Sequence, residues 1–352
     1  MRRQLKILSV IDIPWNSALA AYAFDQALAL RAGGHGVLFA CPEGSAAMDF
    51  SGKAGFKAVA IPARKAYHRL PLALLRLRSI IKKEGIGAVC AHSGRAQTLG
   101  YLLGLPMIRV KADAKKPSTG FTFAAVSKTI AASSYIENLY LQAGLDRGRL
   151  AVIRQGIAAP VLLVRKPAPP YKVGLLGRLD PVKGHDCFLK AAALLLKRGV
   201  KAEFHIAGYE ANIKYADLKT AARALGIEEK VFFHGKVDGP FRFMGSCDAG
   251  VITSLGSEAV SRAALEWLAS GKPLVASSVG SLPEFVAGEW LVPPGDPAAL
   301  ATKLEALFRD PRKLEELGAQ NRARAERDFS HAAFAAATCA VFESIVKGGS
   351  EG

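Results

Sequence analysis

Short apolar runs alternate with longer amphipathic segments along most of the chain. In the first half the apolar runs are KILSVID, GVLFA, GAVCA, MIRV and AVIR, and in the second half they are YKVGLL, AEFHIAG, KVFFHG, DAGVIT and PLVAS. Strands buried on both faces of a parallel sheet are short and apolar, and the Ala- and Leu-rich segments between these runs have helical spacing. The pattern therefore predicts βαβ units and parallel sheets covered by helices on both faces.

The alternation is interrupted once, near the middle of the chain. Residues 158–170, AAPVLLVRKPAPP, contain four prolines, which suit neither a helix interior nor a central strand. We place an interdomain linker here and predict two Rossmann-like, doubly wound α/β domains, at residues 1–160 and 161–330, that face each other across a cleft. The carboxyl ends of both sheets, where such folds bind ligands, would then line the cleft. We predict that residues 331–347 form a helix that packs back on the first domain.

Length and composition are consistent with two hydrophobic cores. The chain has 352 residues, 50% of them hydrophobic, and its mean hydropathy is +0.18. No apolar run reaches the length of a membrane span, and the amino terminus lacks an apolar stretch of signal-peptide length. The five cysteines are widely spaced, which argues against a disulfide framework and a zinc site. We expect a soluble, unprocessed, cytoplasmic protein.

The net charge of +17 is concentrated in the first half of the chain. Residues 1–160 contain 22 Lys and Arg against 8 Asp and Glu, whereas residues 161–352 contain 25 against 22. Such asymmetry indicates an anionic partner, either nucleic acid or a membrane surface. The low aromatic content and the absence of a zinc or helix-turn-helix signature argue against nucleic acid, although a polyanion-binding protein stays open as an alternative.

One segment of the first half, Ala63 to Gly85, contains seven of these cations and one acid. With Pro71 as a helix start, Leu74, Leu77 and Ile81 form an apolar stripe. The stripe is flanked by four cations, Arg76, Arg78, Lys82 and Lys83. Two interpretations remain open: a domain helix with solvated cations, or a helix that lies on anionic lipid at the inner face of the plasma membrane.

The candidate chemistry lies in the second half. In GRLDPVKG, Arg178 and Lys183 stand on a turn between an apolar run and a helical segment. A second helix start offers backbone N–H groups at Val260, Ser261 and Arg262, and helix amino ends bind anions. A guanidinium, an ammonium and a helix start together fit a diphosphate.

Two glutamates accompany this predicted anion site. Glu258 and Glu266 are separated by seven residues around the second helix start. We place Glu258 on the loop and Glu266 two turns into the helix, so that both address one ligand. Carboxylates beside a diphosphate are repelled unless they accept hydrogen bonds from hydroxyls, so the pair suits the sugar and ribose of a nucleotide sugar.

Taken together, these stretches resemble family 4 glycosyltransferases of the GT-B architecture (glycosyl transferases group 1). In that family the second domain carries a Gly-Arg-Leu…Lys-Gly turn, two glutamates separated by seven residues, a Gly-x-Pro-Val-Val-Ala strand and a Gly-x-Pro-Glu segment. The corresponding stretches here are GRLDPVKG, Glu258 with Glu266, GKPLVAS and SLPEFV, in the same order over about residues 172–330.

The resemblance implies roles for individual residues of the second domain. Arg178 and Lys183 would bind the pyrophosphate of a nucleoside-diphosphate sugar, Glu258 the donor-sugar hydroxyls and Glu266 the ribose. Backbone around two further residues, Lys236 and Val237, would border the base. Of these residues, Arg178, Lys183 and Glu258 form the predicted catalytic set.

The resemblance is thinner in the first domain. VIRQGI is similar to the family's Asn-Gly-Ile-Asp segment, and GAVCAHS to its His-x-His strand end, which makes His92 the candidate that contacts the donor sugar and adds it to the catalytic set. The family's Gly-Gly loop after the first strand is replaced by IPWNSALAAY. Ala259 and Ser261 stand where the family has glycine after the first glutamate.

The resemblance implies a reaction class. It predicts a retaining hexosyltransferase that needs no metal and no cofactor, with a UDP-sugar as the favoured donor. The expected acceptor is a glycan or glycolipid, as in bacterial surface polysaccharide or lipopolysaccharide core synthesis. A nucleotide-sugar 2-epimerase of the same architecture is the alternative, and it would convert the sugar nucleotide without an acceptor.

Overall fold

The computed structural model describes residues 4–15, 17–63, 66–117, 119–160, 165–256 and 258–347. The chain divides into two compact units. The first comprises the residues up to Gly156 and those from His331 onward, and the second comprises Ile157–Ser330. The predicted linker, 158–170, starts inside the second unit, and residues 161–164 of it lie outside the described residues. Ile157 is buried in the core of the second unit, where Ala159 also packs.

The first unit contains a seven-stranded parallel sheet of order β3-β2-β1-β4-β5-β6-β7 in the described part of the chain. Its strands are β1 (Lys6–Val10), β2 (Gly36–Pro42), β3 (Lys57–Ile61), β4 (Ala88–Ala91), β5 (Met107–Lys111), β6 (Val126–Ala131) and β7 (Leu150–Val152). Its helices are α1 (Ala18–Ala32), α2 (Ala46–Ala54), α3 (Leu70–Glu84), α4 (Gly94–Leu103), α5 (Ser134–Gln142) and, at the end of the chain, α12 (His331–Lys347). The last helix packs on α1, with the rings of Tyr22 and Phe334 5.4 Å apart, edge to face.

The described residues of the second unit form a six-stranded parallel sheet of order β10-β9-β8-β11-β12-β13. Its strands are β8 (Tyr171–Leu176), β9 (Ala202–Ala207), β10 (Val231–Phe233), β11 (Ala249–Ile252), β12 (Leu274–Ser277) and β13 (Leu291–Val292). Its helices are α6 (His185–Lys197), α7 (Tyr215–Ala224), α8 (Pro240–Ser246), α9 (Arg262–Ala269), α10 (Pro297–Phe308) and α11 (Pro311–Asp328).

The predicted fold class, two Rossmann-like α/β domains with parallel sheets, is confirmed. Three strands of the structure, β3, β6 and β13, were not among the predicted runs. The middle of β6 carries Ser127, Lys128 and Thr129, and β13 has only two residues, so neither resembles an apolar run. Within the described residues, none of the helices combines the length and hydrophobicity needed to cross a membrane.

Two glycines allow helix α9 to approach the second sheet closely. Gly250 of β11 and Gly174 of β8 are register partners, and both face the buried indole of Trp267 in α9. A Cβ atom on Gly250 would lie 2.3 Å from that indole, and one on Gly174 would lie 2.9 Å from it. Because dense cores do not admit such overlap, glycine at both positions fixes how α9, which carries Glu266, sits on the sheet.

Candidate functional site

The loops that follow the central strands of the second sheet pack against one another at its carboxyl edge. Gly208, after β9, has a φ of +153°, and a Cβ there would lie 1.9 Å from the carbonyl oxygen of Gly177, after β8. Its N–H donates to the carbonyl of Gly235, after β10, at 2.8 Å. Gly184, also after β8, has a φ of +68°, and a Cβ there would lie 2.0 Å from the carbonyl oxygen of Thr253, after β11. Only glycine allows these approaches.

This packing brings Lys183 and Glu258 together. The Lys183 Nζ lies 2.5 Å from the Glu258 Oε1, and the hydroxyl of Ser254 donates to the same oxygen at 2.6 Å. The Glu258 side chain is 5% exposed, and that of Lys183 is 24% exposed. The hydroxyl of Thr253 donates to the carbonyl of Lys183 at 2.9 Å, which fixes the backbone that carries the ammonium. The pair is therefore a largely buried ion pair that solvent reaches from the lysine side.

A third loop, after β12, holds the backbone of Glu258. The N–H of Ser281 donates to the Glu258 carbonyl at 2.7 Å. Gly280 has a φ of +55°, and a Cβ there would lie 2.3 Å from the same carbonyl oxygen. The glutamate is thus fixed through its side chain by Lys183 and Ser254 and through its main chain by the SSVGS loop.

Arg178 lies on the same turn as Lys183 but is oriented by a different carboxylate. Its Nε is 3.4 Å from the Asp180 Oδ2, and its side chain is 43% exposed. Asp180 also accepts from the backbone N–H of Val182 at 3.0 Å and from the Asn212 amide at 2.8 Å. The Val182 N–H is the main cause, with the Asn212 amide and Arg178, of a lowered pKa for Asp180. Asp180 is therefore a fixed anion that holds Arg178 at the rim of the site.

Helix α9 begins at Arg262, slightly later than predicted. Ser261 is its N-cap residue, and Val260 precedes the helix, so Val260 is not a first-turn donor as predicted. The Ser261 side chain makes no capping hydrogen bond, and its buried hydroxyl finds no partner in the part of the chain that the structure describes. A helix start without a side-chain cap keeps its backbone donors for another acceptor.

The predicted position of Glu266 was wrong in detail. Glu266 is the fifth residue of α9, little more than one turn from its start, and its Oε1 pairs with the Nε of Arg262 at 3.0 Å. The predicted two turns assumed a helix that starts earlier. Burial raises the pKa of the Glu266 carboxyl, and Arg262 opposes that rise. The structure thus brings Glu266 to Arg262, whereas Glu258 pairs with Lys183.

Several residues at this edge were not found from the sequence. Ser254, Thr253, Asn212 and Gly280 each contact a predicted site residue or its turn. The one available signal was the small-residue run TSLGS directly before Glu258. The predicted base-bordering residues, Lys236 and Val237, follow Gly235 in the loop after β10; Lys236 is exposed and Val237 packs on the core.

His92 lies at the carboxyl end of β4 in the first unit and is 1% exposed. Its Nε2 lies 3.1 Å from the Ser9 hydroxyl and 3.3 Å from the Cys90 Sγ, while its Nδ1 has no partner among the described residues. Burial, with the nearby charge of Arg109, lowers the pKa of His92 to about 3. The imidazole is therefore neutral at physiological pH, and its contact with a donor sugar stays a prediction.

The four cations predicted to face a membrane lie on α3. Pro71 stands in its first turn, as expected. All four are exposed, and Arg78 also donates from Nη2 to the carbonyl of Leu102 at 3.0 Å. The residues packed inward are Ala73 and Leu77, with Leu74 and Ile81 half-buried. Two leucines that the predicted stripe did not include, Leu72 and Leu75, are 72% and 64% exposed.

Among the described residues, no group of three or more His, Cys, Asp or Glu side chains is placed to hold a metal ion. The five cysteines are buried. The carboxyl edge of the second sheet carries the cations Lys183 and Arg178 and the backbone N–H groups at the start of α9. That edge can accommodate a multiply charged anion beside a carboxylate that accepts from hydroxyls.

Comparison of the sequence with protein families gives one match, over residues 170–310, to the model of Glycosyl transferases group 1. This range includes the Lys183–Glu258 pair and α9. A D-inositol 3-phosphate glycosyltransferase from Arthrobacter sp. (strain FB24) is 35% identical over 159 residues, which cover 43% of this chain and 38% of that protein. The match therefore spans well under half the length of that relative.

Comparison with solved structures covers nearly the whole chain. A glycosyltransferase from Rickettsia africae ESF-5 superposes with a TM-score of 0.86 at 17% identity, covering 98% of this chain and 99% of that one. Anabaena Alr3699/HepE, solved in complex with UDP, superposes with a TM-score of 0.82 at 19% identity, covering 97% and 100%. At these identities the likeness shows the fold, which is that of GT-B glycosyltransferases.

Proposed function

We propose that this protein is a glycosyltransferase that moves a sugar from a nucleoside-diphosphate sugar, with UDP-sugars favoured, to a hydroxyl of a glycan or glycolipid. The observation that carries the proposal is the buried Lys183–Glu258 pair at the carboxyl edge of the second sheet. It lies within the stretch that matches the group 1 glycosyltransferases. The UDP complex of the Anabaena neighbour, whose fold the chain shares, supports a UDP donor.

The groups at this edge suit the departure of a diphosphate. As the bond between the anomeric carbon and the diphosphate oxygen breaks, negative charge grows on that oxygen. Lys183, Arg178 and the uncapped start of α9 would stabilise the charge without a metal ion, because fixed donors and cations need no reorganisation during the reaction. The acceptor hydroxyl forms the new bond to the anomeric carbon, and its proton passes to the departing diphosphate.

Glu258 is the proposed contact to the donor sugar. Its Oε1 already accepts from Lys183 and Ser254, so its remaining lone pairs are the ones a donor-sugar hydroxyl would use. We propose retention at the anomeric carbon, in keeping with the family that the motifs resemble. Glu266, paired with Arg262 at the helix start, is the proposed ribose contact.

Donor binding and transfer are tested separately. Thermal unfolding is followed with UDP, ADP and GDP, because a ligand at a hundred times its Kd adds about 2.7 kcal/mol to the free energy of unfolding. Products from the matching nucleotide sugars are then analysed by NMR for the anomeric configuration. A stabilising nucleotide and a product of retained configuration support the proposal. Release of an epimerised sugar nucleotide without an acceptor would instead favour the 2-epimerase.

We further propose that α3 brings the enzyme to an anionic membrane surface that holds a lipid-linked acceptor. Its exposed face combines Leu72 and Leu75 with Arg76, Lys82 and Lys83. A cavity of about 390 Å³ beside it is lined by apolar residues of β3 and the loop after it, by one acid, Glu43, and by Arg69, Leu72, Ala73 and Arg76. Exposed leucines next to cations are the composition of a membrane-surface helix, and each cation near anionic lipid contributes about 1 kcal/mol.

Sedimentation with vesicles tests this surface. The protein is expected to bind vesicles that contain phosphatidylserine at low salt, and Leu72→Ser/Leu75→Ser should weaken binding at constant charge. Arg76→Gln/Lys82→Gln/Lys83→Gln should weaken binding most at low salt, where the attraction between the cations and the lipid is least screened. Lys190→Gln in the second unit removes an exposed cation elsewhere and serves as the control. Equal binding to neutral and anionic vesicles would reject the membrane role.

A further inference from the structure

Two cations are buried near the end of a central strand of the first sheet. Strand β5 lies between β4 and β6, and its last three residues are Arg109, Val110 and Lys111. Arg109 is 6% exposed and Lys111 is 5% exposed. Since alternate residues of a strand share a face, both cations lie on the same face of the sheet. A central strand of a parallel sheet is normally apolar, so this pair needs a physical reason.

Arg109 forms no salt bridge with a described carboxylate. Burial lowers its pKa, and the more distant Tyr140, Asp113 and Asp12 oppose this. Its Nη1 donates to the carbonyl of Ala91 at 2.9 Å and to the carbonyl of Val110. In the described part of the chain no carboxylate lies within ion-pair distance of the guanidinium, and its Nε and Nη2 donate to no protein atom. A buried charge with no carboxylate in direct contact is costly, because distant charges offset only part of the lost hydration. If the only role of Arg109 were to link β4 and β5, a neutral amide side chain would make the same hydrogen bonds with a smaller desolvation cost.

The neighbouring charges do not balance the pair. Lys111 Nζ lies 2.5 Å from Asp113 Oδ1, and that oxygen also accepts from the backbone N–H of Lys115. Burial, aided by the charge of Arg109, lowers the pKa of Lys111, and Asp113 opposes this. On β6, Thr129 is the register partner of Arg109, and its buried hydroxyl has no partner among the described residues.

The position of this cluster is that of a ligand site. Arg109 and Lys111 lie at the carboxyl end of β5, and parallel sheets of doubly wound folds bind ligands at that edge. An anion that approaches this edge would meet the unpaired donors of Arg109, and arginine binds carboxylate and phosphate with two parallel hydrogen bonds. The cluster lies wholly within the first unit and shares no residue with the Lys183–Glu258 site.

We propose that Arg109, assisted by Lys111, binds an anionic group, a carboxylate or a phosphate, carried by the acceptor sugar. The acceptor is then a sugar acid or a phosphorylated sugar, not a neutral one. The role of the ligand as an acceptor rests on the proposed function, but the anion site itself does not. Specificity follows because a neutral sugar would leave the buried guanidinium without an anion in direct contact.

Calorimetric titration of the full chain tests the site with three probes at equal ionic strength: glucuronate, glucose 6-phosphate and glucose. At least one anionic probe is expected to bind more tightly than glucose, and the tighter of the two identifies the charged group. Arg109→Gln should raise the Kd of that probe by at least about tenfold, the usual loss for one charge-assisted hydrogen bond. Lys53→Gln removes an exposed cation of α2 and should leave the Kd unchanged.

The inference is overturned if neither anionic probe binds better than glucose, or if Arg109→Gln binds the anion as tightly as the wild type. Should Arg109→Gln fail to fold, Lys111→Gln is the second variant, and unchanged anion binding in it would overturn the inference equally. Titration of the wild type with UDP separates the two proposals. If UDP does not bind the wild type but the anion still binds in an Arg109-dependent manner, the proposed function fails and the anion site stands.

Discussion

Replacing Lys183 with alanine separates the structural and the catalytic role of the buried ion pair. The change leaves Glu258, 5% exposed, with only the Ser254 hydroxyl on its Oε1. Loss of one partner from a buried ion pair costs about 3–5 kcal/mol, and solvent access to the lysine side lowers this to about 1–3 kcal/mol here. For a unit of this size each kcal/mol lowers the Tm by about 2–4 °C. We therefore expect a folded variant whose melting temperature is clearly reduced.

The catalytic loss should be larger. Removing one group that stabilises charge in the transition state costs about 2.7–4 kcal/mol, or about a hundred- to a thousandfold in turnover. The assay is turnover at saturating donor, at a temperature well below the Tm of the variant. In Lys183→Ala/Glu258→Gln the uncompensated carboxylate is also gone, so stability should recover while turnover stays low.

Two outcomes would refute this reasoning. Turnover of Lys183→Ala within about threefold of the wild type would show that the lysine does not stabilise the transition state. Recovery of turnover together with stability in the double variant would show that the loss came from unfolding. Lys190→Ala is the matched control, because Lys190 pairs with Asp186 in an exposed i,i+4 pair on α6, and such pairs contribute little.

Two further predictions concern stability. The pKa of His92 is about 3 in the folded protein and about 6.5 in the unfolded chain, so between these values only the unfolded state binds the proton. His92 should then contribute a fall in stability of about 1.4 kcal/mol per pH unit as the pH drops below about 6.5. Burial also lowers the pKa of His185 and of His205, so these add to the slope. His92→Gln should reduce the slope in urea titrations, and an unchanged slope would contradict a neutral buried imidazole. Gly184→Ala should destabilise the protein far more than Gly199→Ala. Both glycines have positive φ, and left-handed backbone alone costs about 1–2 kcal/mol, but only at Gly184 would a Cβ lie 2.0 Å from a carbonyl oxygen. Equal melting temperatures of the two variants would refute the close approach.

The sequence by itself determined the local elements and their order. Strands and helices are indicated by patterns of residues that are close together in the sequence, and so are the GRLDPVKG turn and the helix start at Pro71. Most exceptions have local reasons: β6 is polar in its middle, β13 is short, and the start of α9 follows a small-residue loop whose end no capping side chain marks. Strand β3, KAVAI, is an apolar run that the prediction left out. The motif set therefore predicted the fold class, and it named candidate site residues, without any information on contacts.

Tertiary structure alone decided which of these residues meet. Lys183 and Glu258 are 75 residues apart and touch because β8 and β11 are neighbours in the sheet, although β9 and β10 lie between them in the chain. The supporting contacts of Ser254, Gly184 and Gly280 depend on the same strand order. So does the burial of Arg109 on a central strand, since a strand's place in the sheet, and the desolvation it imposes on a charge, comes from long-range packing that no local pattern encodes.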